Sequence, residues 1–378
     1  MAERSLGVPP DHRGLIATGH LGTICAVTRG LNRFETISVA LAVIIAAAAG
    51  ALALASVANT AVFVVSAAAL VALAWIVGVA TEQLGASAGP KVGGVLNATF
   101  GNAAELIITI FAIRAGQLEV ATASITGSIL GNTLLVLGAS FFIGGLKNGL
   151  QSFNQRVAGM NASMLALAVI GLGIPTLFGH VAEHPDVQAV SDITAGILLT
   201  LYVLMLVFYF RTPEVAHVSG HEPIGPHWPG RLAMLLLLLS TGAVAVISDV
   251  FVGTLDAVIS DVGISAVFLG LIIVPLVGNI AENIVGIKIA YQNDMDFSML
   301  VSLGSSLQIA LGVAPALVFI SLLTPHHFDL LFPVMQVVSL AAAVFITALI
   351  AADGESNWLE GAQLMAVYGI IATAVWYL

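Results

Sequence analysis

Glu105 and Glu282 are acids in surroundings that penalise acids. Glu105 closes the stretch Gly101-Asn102-Ala103-Ala104-Glu105 and Glu282 closes Gly278-Asn279-Ile280-Ala281-Glu282, both inside long apolar segments. An ionised side chain near the centre of a bilayer costs from about 2.5 kcal/mol upward. Such residues therefore face a polar cavity and bind something. Two like charges held close together resist joint ionisation, so a pair of carboxylates tends to take up protons. A hard divalent cation answers the same problem, because it neutralises both groups and prefers oxygen ligands. A site that accepts either a divalent cation or protons exchanges one for the other by competition.

The neighbouring residues suit that chemistry. Gly101 and Gly278 permit a broken helix or a close backbone approach, which frees carbonyls as ligands. Asn102 and Asn279 offer uncharged amide oxygens, or else cap the broken helices. Ser128, Asn132, Ser305 and Gln308 are polar groups in otherwise apolar stretches. Each either touches the cation or supports a residue that does; for the serines the bland alternative is a bond to their own i−4 carbonyl. A purely structural ion pair for the glutamates needs a nearby cation. Arg114 and Lys288 lie about two turns away, where their long stems carry the charge to the interface.

Composition says what must position these groups. Hydrophobic residues make up 59% of the chain and charged ones only 8%, against roughly 25% charged in a soluble domain. Lipid is the main solvent. The expected fold is an all-α integral membrane protein. A bilayer core needs roughly 20 apolar helical residues per crossing, which places eleven spans at 37–57, 61–80, 92–113, 121–144, 158–179, 191–210, 232–252, 264–288, 298–323, 329–351 and 361–378. Residues 1–36 read as a cytoplasmic tail and 211–231 as a cytoplasmic linker containing His217, His221 and His227. The single cysteine, Cys25, excludes an internal disulfide framework and a thiolate metal cluster. A net charge of −10 without a basic patch excludes a nucleic-acid partner.

Orientation follows from lysine and arginine, which cytoplasmic loops retain. With the amino terminus inside, every Lys and Arg except Arg114 falls on the inner side, and the carboxyl terminus lies outside. The outer loops are acidic instead, with Glu119, Asp192, Asp256 and Asp329 in or beside them.

The two glutamate motifs also belong to an internal repeat. The displacement of 177 residues that carries Gly101 onto Gly278 carries Gly127-Ser128 onto Gly304-Ser305, Leu130 onto Leu307 and Leu134 onto Leu311, without a gap. Five spans separate the starts of the two motif helices. An odd number inverts one copy relative to the other, an arrangement that puts transporter sites near the midplane at the repeat interface. The spans at 61–210 and 232–378 are the two five-helix repeats, and 37–57 is an extra peripheral helix.

At these residues the chain resembles the calcium/proton antiporters, the cation/proton exchanger branch of the calcium/cation antiporter superfamily. Leu96-Asn97-Ala98-Thr99-Phe100-Gly101-Asn102-Ala103-Ala104-Glu105 looks like that family's first signature. Val274-Pro275-Leu276-Val277-Gly278-Asn279-Ile280-Ala281-Glu282 resembles the second, and Leu303-Gly304-Ser305-Ser306-Leu307-Gln308 follows it. The resemblance implies Ca2+ and H+ as transported substrates, no resident cofactor and no enzymatic step. It further implies alternating access at the two glutamates. The short chain with a basic cytoplasmic terminus points to a multi-pass protein of the plasma (inner) membrane. Monomer and homo-oligomer are both compatible with it. The chain departs from the family pattern at Ile280 and Asn283, where the family carries Ala and His, in its weakly acidic linker, and it has a family-like acid at Glu82. Sodium/calcium exchangers of the same superfamily carry hydroxyls and a proline in these motifs, which Asn102-Ala103-Ala104 and Asn279-Ile280-Ala281 lack. A Mn2+ or Cd2+ cargo remains compatible with the ligand set.

Two short matches point elsewhere and carry little. His180-Val181-Ala182-Glu183-His184 fits the HxxEH zinc pattern, but it falls in an expected outer loop with Pro185 next. Gly85-Ala86-Ser87-Ala88-Gly89 fits GxSxG with no strand before it and is expected in an inner loop. His326-His327 is expected in an exposed loop.

Overall fold

In lipid every backbone N–H and C=O must be satisfied within the protein, which leaves helices or closed barrels, and apolar runs of about 20 residues have the length of a helical crossing. The computed structural model describes residues 31–55, 57–88, 90–182, 186–211 and 228–378, and these are almost all helix. Residues 1–30 of the expected tail and 212–227 of the expected linker lie outside the described residues, and the last residues of the expected tail, from Arg33, are already helix.

Helix α1 (Arg33–Leu54) starts at a capping box, in which Asn32 and Glu35 satisfy each other's backbone N–H. It is followed by α2 (Asn59–Ala88), α3 (Pro90–Phe100), α4 (Ala103–Arg114), α5 (Leu118–Asn148), α6 (Gln155–Val181) and α7 (Val187–Arg211). The remainder comprises α8 (Gly230–Gly253), α9 (Leu255–Val262), α10 (Ala266–Gly278), α11 (Ile280–Tyr291), α12 (Met295–Ser321), α13 (Val334–Ile350) and α14 (Trp358–Trp376). A two-residue antiparallel ladder, β1 (Gln151–Ser152) with β2 (Glu355–Ser356), ties the α5–α6 loop to the α13–α14 loop.

By length and hydropathy, eight of the described helices can cross a membrane, or nine if the bent pair α10–α11 counts as one crossing. α13 is shorter, and the segment expected at 92–113 is split into α3 and α4. The segment expected at 264–288 is likewise split, with α10 and α11 meeting at 65°. α2 runs on through Ala88, so Gly85–Ala88 is helix rather than the inner loop expected there. Ser87 there donates to the Gln83 carbonyl, and the segment lacks the strand-to-helix turn that a nucleophilic serine needs.

The 177-residue displacement holds for the elements as well as the letters. It carries α4 onto α11 end to end, and Leu118–Leu130 of α5 onto Met295–Leu307 of α12. Both rods then pass through one wide π-helical turn, at Gly131–Val136 and at Gln308–Val313, again in register. Such turns often mark functional sites, and no sequence signal announced these. α5 and α12 are the central rods, with 67% of the apolar window buried in each, against 11% in α1.

Small residues let the rods approach closely. Gly127 of α5 lies against the Leu271 carbonyl of α10, and Gly270 against Val120 and Ala123, so a side chain at either glycine would enter its neighbour's backbone or methyl group. The corresponding surface of the second half is different. Gly304 of α12 meets nothing within 4 Å, while α3 packs onto α2 through Gly93 and Gly85. The glycines Gly127 and Gly304, matched by the displacement, therefore have unlike surroundings.

Candidate functional site

The two helix breaks face each other. Both follow a glycine and turn at an asparagine: α3 ends at Phe100 and α4 begins at Ala103, whereas α10 ends at Gly278 and α11 begins at Ile280. Asn102 and Asn279 sit at the N-cap positions but make no side-chain cap bond, which rules out the simple capping role. Instead each reaches across to the opposite half. The Asn279 amide donates to Ser128 Oγ at 3.2 Å, and Ser305 Oγ donates to Asn102 Oδ1 at 3.1 Å. These pairs exchange under the 177-residue displacement, so each serine of a central rod holds the asparagine of the other half's break. Neither serine uses its hydroxyl on its own helix.

Glutamates and glycines cross over in the same way. A Cβ added at Gly278 would lie 2.8 Å from Glu105 Oε1, and one added at Gly101 would lie 3.1 Å from Glu282 Oε1. Each carboxylate therefore packs on the glycine four residues ahead of the other carboxylate. Only glycine leaves room there. The π turns supply the remaining polar groups: Asn132 Nδ2 donates to Ser305 Oγ at 3.0 Å, and Asn102 Nδ2 donates to Gln308 Oε1 at 2.8 Å. All ten residues picked out in the sequence meet in one connected cluster.

The acceptor atoms are unevenly satisfied. Glu105 is 2% exposed, and neither of its carboxylate oxygens has a hydrogen-bond donor. Glu282 Oε2, Asn279 Oδ1 and Asn283 Oδ1 are likewise buried and undonated. Asn102 differs from its repeat partner, because its oxygen already accepts from Ser305. It is a support, and Asn279 is the member of the pair with an oxygen to spare. Among the described residues no ion pair neutralises either glutamate, so the structural ion-pair alternative finds no cation. A buried acceptor-only cluster calls for a cation or for protons.

Asn283 was noticed in the sequence only as a departure. It lines a small cavity together with Asn132, Asn279 and Tyr368. Glu82 is exposed near the end of α2. His180 lies in the last turn of α6 with its Nδ1 2.8 Å from the Thr176 carbonyl, and Glu183 and His184 of the HxxEH match lie outside the described residues.

Polar groups gathered at paired helix breaks in an apolar bundle define the class of membrane transporters. The sodium/calcium exchanger protein family matches residues 58–211 and 232–377, two blocks that bracket the two halves. The chain is 42% identical over 309 residues to the Ca(2+)/H(+) antiporter ChaA of Bacillus subtilis (strain 168), spanning 80% of this chain and 88% of that protein. It is 39% identical over 345 residues to the Ca(2+)/H(+) antiporter of Synechocystis sp. (strain ATCC 27184 / PCC 6803 / Kazusa), covering 84% and 91% of the two chains. The solved structure of native YfkE superposes with a TM-score of 0.78 at 38% identity, over 89% of this chain and all of that one. The chain belongs to the calcium/proton antiporter branch of the sodium/calcium exchanger protein family.

Proposed function

We propose that this protein exchanges Ca2+ for H+ across its membrane, at one central site built on Glu105 and Glu282. The observation that carries the reading is the cluster of buried oxygens without donors, from Glu105, Glu282 and Asn279, at the meeting of two broken helices. A divalent cation bound there balances two carboxylates, and its departure leaves them to bind protons. Glu105, Glu282, Asn279 and the carbonyls freed at Gly101 and Gly278 hold the ion. Asn102, Ser128, Ser305, Asn132 and Gln308 hold those groups in place through the bonds between halves. Two acids give at least two protons per calcium.

The proposed frame is eleven crossings, with 61–210 and 232–378 as inverted five-helix repeats and α1 added outside them. The amino terminus is cytoplasmic and the carboxyl terminus external, in a plasma (inner) membrane. Access alternates between the two faces. The unequal contacts of Gly127 and Gly304 support this, because α10 is sealed against α5 while α3 leans on α2 instead of α12. In that state the site opens beside Glu282 toward the basic, cytoplasmic face, and the other state swaps the seals.

Proton flux in sealed proteoliposomes after calcium addition, without and then with sodium, tests the reading. Calcium-driven proton movement in sodium-free medium is expected. Calcium uptake that requires sodium would transfer the chain to the sodium-coupled branch, and flux with Mn2+ or Cd2+ but not Ca2+ would change the cargo.

A further inference from the structure

Far from the two glutamates, where α6 ends and α7 begins, three side chains converge. Asp192 stands in the second turn of α7, and His327 and Asp329 lie in the segment joining α12 to α13. His327 Nε2 is 3.0 Å from Asp329 Oδ1 and 3.6 Å from Asp192 Oδ1. The expectation of an exposed loop holds for His326 but not for His327, which is half-buried.

The joining segment is fixed by hydroxyls on three helices. Phe332 N donates to Thr176 Oγ1 of α6, Leu330 N to Ser191 Oγ of α7, and Phe328 N to Ser321 Oγ at the end of α12. Phe328, Leu330 and Phe332 are buried alongside these bonds. His327 and Asp329 alternate with those anchors and so project together toward Asp192.

Ser321 also sets the imidazole tautomer. Its hydroxyl donates to the Val318 carbonyl at 2.6 Å, so its one proton is committed. Towards His327 Nδ1, at 3.3 Å, Ser321 Oγ is therefore the acceptor and Nδ1 the donor. In the neutral ring the lone pair is then on Nε2, facing two carboxylate oxygens. Nε2 and both Oδ1 atoms are shielded from solvent, and none has a hydrogen-bond partner, because the close approaches are out of line for a ring N–H. Three lone-pair atoms thus converge with nothing between them to donate.

We propose that Asp192, His327 and Asp329 form a second divalent-cation site, separate from the transport centre, selective for a borderline first-row ion such as Zn2+. Zinc binds both histidine nitrogen and carboxylate oxygen, and its open sites use three protein ligands with water in the fourth position. Ca2+ wants six to eight oxygens and is poorly served here. Ligands about 2.1 Å from a tetrahedral zinc sit about 3.4 Å apart, between the two observed separations of 3.0 and 3.6 Å. The hydroxyl of Ser321 orients the imidazole, as the outer partners of metal-bound histidines do. Occupancy joins the start of α7 to the α12–α13 connection, and α12 carries Ser305 and Gln308 at its centre.

The test is zinc binding to the purified full-length protein with Glu105→Gln and Glu282→Gln in place, so that the cargo site does not contribute. One Zn2+ per chain is expected, retained in a large excess of Ca2+. His327→Ala and Asp329→Ala should each weaken it at least 100-fold, and Ser321→Ala about 10- to 100-fold. Co2+ added to the same protein without the alanine substitutions should give the visible absorption of a histidine-bound ion, a readout independent of whether those variants fold. No such spectrum overturns the proposal and leaves a histidine–carboxylate ion pair. So does zinc binding that survives both alanine changes, as binding elsewhere on the chain would.

Discussion

At the scale of single residues, Glu105 makes the strongest demand, since both of its oxygens are buried without a donor. Glu105→Gln and Glu282→Gln each replace an acceptor with an amide that can neither neutralise the cation nor carry the exchanged proton. Each variant should reach the membrane at parental levels and lose coupled calcium transport, measured as radiolabelled uptake into vesicles against immunoblotted protein. The serines should not be equivalent. Ser305 contacts Asn102, Asn132 and the Glu282 carboxylate, whereas Ser128 accepts only from Asn279. Stranding buried partners costs about 1–3 kcal/mol, so Ser305→Ala should lower apparent calcium affinity by about 5- to 150-fold and Ser128→Ala by less. A larger effect at Ser128 would contradict the network. Eight of the ten polar and glycine positions were legible because they recur in pairs at one displacement, and Asn132 and Gln308 because they are polar in apolar stretches. Their unequal duties were not. They depend on Asn132 and Gln308, which the displacement carries onto Ile309 and Gly131 rather than onto each other.

At the scale of elements, the helix breaks do the positioning. Gly278→Ala places a methyl group 2.8 Å from Glu105 Oε1, and the carboxylate has to leave its seat. Transport should fall at least tenfold with little change in thermal stability of the detergent-solubilised protein, because the backbone at Gly278 can accept alanine. Unchanged transport would separate Glu105 from the opposite break. The breaks could be anticipated from Gly101-Asn102 and Gly278-Asn279, since glycine followed by asparagine interrupts an otherwise good helix. The π turns could not, because Gly131–Val136 and Gln308–Val313 contain no residue that enforces a wide turn. The buried side of the α12–α13 connection was hidden for a similar reason, as its shape rests on Thr176 and Ser191, more than 100 positions away in the chain.

At the scale of the whole molecule, matched elements with unmatched contacts make the two faces inequivalent. Gly304 looks into open space and its repeat partner Gly127 is sealed against α10. Cys25 is the only cysteine, so one substitution provides a background free of thiols. In Cys25→Ser, Gly304→Cys should react with a membrane-impermeant thiol reagent applied from the cytoplasmic face at least tenfold faster than from the outside. Equal rates would refute the sided opening. Composition made membrane insertion readable, and the Lys/Arg distribution supplies the proposed sidedness. The unequal surroundings of Gly127 and Gly304 could not be read, because both glycines sit in the same Gly-Ser pair of the repeat.

The account rests on two carboxylates that hold a calcium ion or protons in turn. Its most direct measurement is simultaneous calcium and proton flux in sodium-free proteoliposomes, comparing the parent protein with Glu282→Gln. The expected result is outward proton movement of at least two per calcium taken up, absent from the variant. Calcium uptake without proton movement in the parent, or coupled flux persisting in Glu282→Gln, would contradict it.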